Sequence, residues 1–538
     1  MFEMIGRLPE TFWPPLDWRR LFFGFALLVT SGIFTPAEAA FSNGYSFRRE
    51  VDFVDAKVIG GPHTNFPVLI DSTLLYLRTT ANGGKVENAN GYDIIFTSDQ
   101  AGAIQLAHEI ERYDATMGEI VFWVRIESFA ATISIYMFYG NSGIATFQGD
   151  VTSNGVTGVW DNDYVGVWHL NEDVVDEVSV ATHFDATANN HDGIQQRNVE
   201  ATGQIANGQD FDGTNDFIED ADGELYINGL TAFTLSLWIQ SDIIGTSTGF
   251  IIGKLPDNDD DALTFRYDAA GLLGGGTNGI KASVTVNGVD QLLESSSNVQ
   301  TTAWQYLSWS WSSGNQHTLY IDGLLDSLIF NDPAETGSLG GTDRLRIGQG
   351  TKSGETDWDG RIDETRLSSV VRGAAWIETE YNNQFSPATF YLLRAEDAQL
   401  VLVKRAFMTD GTPIADASTL PAGIPFDFMI YVNNKGDGVR TDTSIRDVLD
   451  PLFVYTVGTI FIDNSQSECA LAACTAAEEA SIRTAALATT VKTDIIDGDT
   501  VSFTGVTIDV GNQVIAGNAQ QDADANKVLA IVFRVRMQ

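Results

Sequence analysis

The sequence predicts an all-β, multidomain chain built from β-sandwiches, on three observations. Strand-type alternation recurs from Tyr45 onward, in ISIYMFYG, FTLSLWIQ and the β-branched run KVLAIVFRVRM. Clusters of Gly, Asn and Asp punctuate these runs as turns, while helical periodicity is confined to short stretches near 368–384 and 475–490. The chain of 538 residues is also too long for one core, at about 100 to 200 residues per domain. Its 51 Gly and 13 Pro exclude a collagen-like or Pro-rich chain, and 43% hydrophobic residues suffice for true cores. A formal net charge of -41 repels phosphate backbones, so nucleic acid is excluded as a partner.

Residues 1–39 read as a signal peptide. Arg19 and Arg20 precede an apolar run from Leu21 to Phe34, followed by the small-residue text AEAA, which places cleavage after Ala39. Fourteen residues at helical rise span roughly 21 Å, less than the hydrocarbon thickness of a bilayer. The expected destination is secretion or the cell surface. No membrane insertion of the mature chain is expected, and any retention at the cell needs an envelope partner.

A first β-sandwich module is expected over 44–145. It carries YSFRREVDF, TNFPVLID, GYDIIFTSDQAGAIQLAHEIERYDATMGEIVFWVRI and IYMFYGN. In succession these segments resemble the domain-of-unknown-function 2341 family, found in prokaryotic exported proteins beside lectin-like domains. GEIVFWVRI reads as a half-buried strand. His108, Glu109 and Glu111 invite a metal or acid–base reading, but they are expected on a solvated strand flank.

A second module is expected over 158–395. GVWHL, NNHDG, GQDFDGTNDFIE, FTLSLWI, WQYLSWSWSSGNQHTLYIDG, LRIGQG and GRIDETRLSS occur there in order. The set resembles a laminin-G-like, concanavalin A-type jelly roll, and WIETEYNNQFSPATFY, which follows, is similar to the usual closing segment of proteins that pair these first two modules. Independently, Phe233, Leu235, Leu237 and Ile239 fall on one strand face, and LYIDG reads as a strand entering a turn.

The resemblance implies that calcium is the cofactor to look for, because such modules often bind one such ion. Asp212, Asn215 and Asp216 in FDGTNDF, with Asp363 of GRIDET, are the candidate ligands, since a hard cation collects several oxygens. The acidic loop 257–261 lacks the spacing of a calcium cage. Trp238, Trp309 and Trp311 are expected in the core. Trp358, between Asp357 and Asp359 in Gly-bounded text, is the ring expected to be exposed to a glycan. A retaining hydrolase would need two carboxyls about 5 to 5.5 Å apart. Only Glu355 with Asp359 approaches such a pair, in text that reads as a loop, and no catalytic residue is assigned.

A third module is expected over 398–538. LVKRAFMTDGTPI, FDFMIYVNN, IRDVLDPLF and the terminal KVLAIVFRVRM resemble the immunoglobulin-like conserved-repeat domain of unknown function 11 of bacterial surface proteins, which implies a spacer role. Cys469 and Cys474 are the only cysteines and are expected to form a disulfide, because CxxxxC without further ligands cannot build a zinc site. The function expected is that of an exported, non-catalytic binding or adhesion protein contacting an extracellular glycan or protein. A structural envelope component is the alternative, and a carbohydrate-active enzyme a second one.

Overall fold

The computed structural model describes residues 41, 43–253, 263–269, 275–349, 356–398, 400–415, 420–469, 473–512 and 515–538. The expected signal peptide, the acidic loop 257–261 and Glu355 lie outside them. The chain is all-β and divides into two compact units, one of residues 51–393 and one of residues 1–50 with 394–538.

In the first unit, the Val51–Phe53 end of β1 (Phe47–Phe53) and strands β2 (His63–Thr73), β3 (Ile95–Thr97), β4 (His108–Asp114), β5 (Glu119–Phe129) and β6 (Ser134–Tyr139) form two small sheets. β2, β5 and β4 are antiparallel neighbours in that order, and β1, β6 and β3 belong to the second sheet. β5 is buried along nearly its whole length, which corrects the half-buried reading. Val68 opposite Val124 and Ile70 opposite Phe122 share one face of this sheet, while Leu69 opposite Trp123 points to the other. That other face is covered by Val159, Trp160, Tyr164, Val167 and Ile205, residues of the jelly roll and the segment leading into it. A strand covered on both sides loses its polar alternation.

The jelly roll packs two sheets face to face. One contains β7 (Tyr164–Trp168), β8 (Val199–Thr202), β9 (Asn207–Asp212), β10 (Ala232–Ser241), β11 (Gln305–Ser312), β12 (Thr318–Ile321), β13 (Leu324–Leu325) and β14 (Asp359–Ser368), with β14 central between β9 and β10. The other has eleven strands, including Phe217–Asp220, Thr248–Ile252, Thr264–Asp268 and Gly279–Val286. Phe233, Leu235, Leu237 and Ile239 do share the core face, meeting Phe265, Tyr267, Ile280, Val284, Trp309 and Trp311. β12 and β13 are joined by Asp322 and Gly323 at φ of 50° and 77°, the paired positive values of a two-residue hairpin turn. Helix α1 (Ala374–Phe385) falls where helical periodicity was expected. Trp238, on the reverse face of β10, is buried beneath it, with its indole N–H donating to Gln384 at 2.6 Å. Asn383 of the same helix exchanges two hydrogen bonds with the backbone of Leu69.

In the second unit, Leu400–Met408, Pro425–Asn434, Lys527–Met537, Phe453–Tyr455 and Phe461–Ser467 form one sheet. Ile445–Val448, Thr507–Val510 and Val501–Thr504 form another. Alternate residues of Lys527–Met537 enter two different cores, Leu529, Ile531 and Phe533 on one side and Val528, Ala530 and Val532 on the other. The second core is roofed by α2 (Ala476–Leu487), which starts from a reciprocal Thr475–Glu478 capping box. Cys469 and Cys474 are disulfide-bonded, as expected, just ahead of that cap. Asn433 and the Tyr431 hydroxyl accept the Cys469 and Cys474 backbone N–H groups, anchoring both cysteines to the sheet.

Candidate functional site

At one edge of the jelly roll, β9 pairs with the start of β14 so that Asp212 lies opposite Asp359 and Asp210 opposite Arg361. The chain then turns through Gly213 (φ 76°) and Asn215 (φ 65°) into Phe217–Asp220. A side chain at Gly213 would press within 3.1 Å of the Asp359 Cβ. Asp212 Oδ1 accepts the Thr214 N–H at 2.7 Å, and Asp357 Oδ2 accepts the Asn215 N–H at 3.0 Å. Asp216 Oδ2 accepts the Asp212 N–H at 2.9 Å. Asp216 is only 3% exposed, and its Oδ1 has no hydrogen-bond partner. Carboxylate oxygens of Glu177, Asp212 and Asp216 lie within 4.8 Å of one another.

The field at this edge is strongly negative. Burial, with the charges of Asp212, Glu177 and Asp176, pushes the Asp216 carboxyl up to about 6 against the pull of the Asp212 N–H. Asp359 is raised by burial and by Asp242, Asp210 and Asp212. Among the described residues, Arg197 reaches Glu177 at 2.6 Å and Arg361 approaches Asp210 at 3.5 Å, both from exposed positions.

Asp212, Asn215 and Asp216 thus share one turn, but Asp363 does not join them. It stands four residues along β14 from Asp359, about 13 Å at strand rise. There it is wholly buried, and its Oδ2 accepts the Ile205 N–H at 2.9 Å. Burial and the neighbouring Glu364 charge raise its carboxyl well above the usual range. Trp358 also departs from expectation. It lies between strand Thr356–Asp357 and the start of β14, and its ring is turned inward. It is 0% exposed, 5.3 Å from the rings of Phe250 and Tyr267, with its N–H donating to the Arg361 carbonyl. Glu177 was missed because it comes from a segment some 35 residues earlier, with no local signal.

A second cluster lies where β4 and β5 meet the jelly roll. His108 faces the module's own core, among Phe96, Phe122 and Phe147, and burial pushes it down to about 4. The Glu109 side chain is only partly exposed and that of Glu111 wholly buried, which corrects the solvated reading of this flank. The indole N–H groups of Trp160 and Trp123 donate to them, both at 2.7 Å. Glu111 is the extra residue of a β-bulge between Ile110 and Arg112. Glu364 sits at another bulge, with φ of 51°. The two glutamates converge on His169, whose Nδ1 lies 2.7 Å from Glu364 Oε1 and 3.6 Å from Glu111 Oε2, while its Nε2 lies 3.5 Å from Glu109 Oε1.

Arg366 completes this seam, bonding Glu364 at 2.5 Å and Glu380 at 2.7 Å, with its guanidinium 4.2 Å above Trp123. The Tyr306 hydroxyl donates to the other Glu380 oxygen at 2.8 Å. Burial lowers the basicity of His169, but Glu364, Glu109 and Glu111 outweigh it and hold the imidazole well above its ordinary value. Burial and the Glu364 charge push Glu111 up to about 8.

With this geometry in view, residues 212–378 match the family described as the concanavalin A-like lectin/glucanases superfamily, and residues 90–192 match domain of unknown function DUF2341. A comparison with curated proteins gave no match. Among solved structures, the chain is similar to domain 4 of AbnA, a GH43 extracellular arabinanase from Geobacillus stearothermophilus, in complex with arabinotriose. Identity is 17%, coverage 41% of this chain and 98% of that one, and the TM-score 0.28. It is also similar to the binding domain of Paraclostridial Mosquitocidal Protein 1 (12% identity, 52% and 65% coverage, TM-score 0.32). A third likeness is to the botulinum neurotoxin serotype D binding domain (12%, 53% and 76%, TM-score 0.29). Among the described residues no helix is long and apolar enough to cross a membrane.

Proposed function

We propose that this chain is an exported, non-catalytic binding or adhesion protein at or beyond the cell surface, whose jelly roll engages an extracellular glycan with calcium held at its acidic edge. One observation carries the calcium reading: Asp216 Oδ1 is buried, has no hydrogen-bond partner, and belongs to a carboxylate within ligand distance of Asp212 and Glu177. A buried oxygen without a donor costs stability unless a cation or water satisfies it, and calcium takes several carboxylate oxygens at 2.3 to about 2.6 Å. Asp212, Asp216 and Glu177 would supply charge to the ion, and Asn215 in the same turn offers an amide oxygen. The glycan reading draws on the family description that covers 212–378. The 398–538 module, read as an immunoglobulin-like spacer, would carry the jelly roll, and an envelope partner would retain the chain at the cell.

Calorimetric titration of calcium into the full chain, followed by a glycan array with and without chelator, tests this function. Calcium-dependent glycan binding lost in Asp216→Asn is the expected result. Ordered self-assembly with no glycan bound would instead identify a structural envelope component, and a protein captured in place of glycans would move the ligand class.

A further inference from the structure

We propose that the seam between the first β module and the jelly roll is a second metal site, in which Glu111, His169 and Glu364 hold a divalent transition-metal ion such as zinc. One ligand atom from each of the three lies within 4.8 Å of the others. They come from three separate segments: Glu111 from β4, His169 from the residue after β7, and Glu364 from β14. Imidazole with carboxylates is the donor set that divalent zinc and its neighbours accept, whereas calcium takes oxygen alone.

Two features mark the cluster as a site and not only an ion pair. The first is unmet bonding in the interior. Glu111 Oε1 is buried with no hydrogen-bond partner, on a side chain that is wholly buried. Such atoms are costly unless something satisfies them.

The second is the outer ring of donors. The Trp123 N–H holds Glu111, and Arg366 holds the Glu364 oxygen turned away from His169. Metal ligands are ordinarily fixed in this way by a second set of hydrogen bonds. Glu109, with one oxygen held by Trp160 and the other 3.5 Å from His169 Nε2, is the nearest further carboxylate.

Glu109, Glu111, Glu364 and Glu380 line the seam around His169 and Arg366. Because the ligands span both modules, the ion would fasten the β4–β5 sheet to the jelly roll, and its binding would add to the stability of the whole unit. The seam stands apart from the acidic edge: its ligands include a nitrogen, and none of them is shared with Asp212, Asp216 or Glu177.

The test is elemental analysis of the untagged full chain, produced with zinc in the medium and dialysed without chelator. Cobalt substitution then reads the coordination from visible absorption. About one bound ion per chain is expected, with His169→Gln and Glu111→Gln falling to background while Asp216→Asn retains it. X-ray absorption of the wild type, expected to show one imidazole among oxygen ligands, keeps the proposal testable should the seam variants not fold. Wild-type protein that folds with less than about a tenth of an ion per chain, or that keeps its metal in a folded His169→Gln variant, overturns it.

Discussion

The Asp212 N–H donates to Asp216 Oδ2 at 2.9 Å, so one oxygen of Asp216 orders the turn while the other, Oδ1, is left buried and unpartnered. This division predicts opposite effects of one substitution. Asp216→Asn keeps an acceptor for the turn but removes a charge from a crowded edge. In chelator its melting temperature should equal or exceed that of the wild type, and in millimolar calcium it should fall below. Paired thermal melts read both signs, and a variant destabilised equally in both conditions would contradict the division.

Trp358 packs between Phe250 and Tyr267, so its loss is a core event. Trp358→Ala should cost about 3 to 5 kcal/mol, and Trp358→Phe markedly less. Denaturant unfolding measures the cost. Ligand affinity per folded molecule should be unchanged by Trp358→Phe, and a selective loss of glycan binding without destabilisation would restore the ring as a contact.

His317 accepts the Trp309 indole N–H at 3.2 Å, and burial pushes its imidazole down to about 3. The unfolded chain takes up this proton near pH 6.5 and the folded chain does not. The group's contribution is therefore complete above about pH 6.5 and declines as pH falls toward 3, by about 1.4 kcal/mol per pH unit. His317→Gln retains an acceptor and should flatten the acid limb in that window, as read from urea midpoints at about pH 7 and about pH 4.

The Cys469–Cys474 bridge closes a short loop, and its two cysteines are anchored by Asn433 and Tyr431. In the chain-entropy view such a loop contributes roughly 2 kcal/mol. Cys469→Ala with Cys474→Ala should lower the stability of the 394–538 sandwich by about that amount and leave the 51–393 unit unchanged, which protease sensitivity of each unit distinguishes.

Much of this architecture is legible in the residues. Alternation in FTLSLWIQ and LSWSW already assigns Phe233, Leu235, Trp309 and Trp311 to the core, where the structure has them. What escaped was set by distant chain. Glu109 and Glu111 look solvated because nothing near them shows that Trp160, His169 and Glu364 will cover that face. Trp358 looks exposed because flanking Asp and Gly resemble a loop, while the strand that begins at Asp359, paired with β9, carries it into the core. Asp363 looks like a neighbour of Asp212 until the pairing shows that Asp359 holds that place. Bulges at Glu111 and Glu364 leave no mark in sequence, yet they decide where both carboxylates point.

The most direct test of the central claim is a thermal melt of the full chain across calcium concentrations, with a glycan array run at saturation and again in chelator. A rise equivalent to roughly 2.7 kcal/mol at a hundredfold excess over Kd is expected, absent in Asp216→Asn, with glycan signals that vanish with chelator. A melt indifferent to calcium, with no glycan bound in either condition, would contradict it.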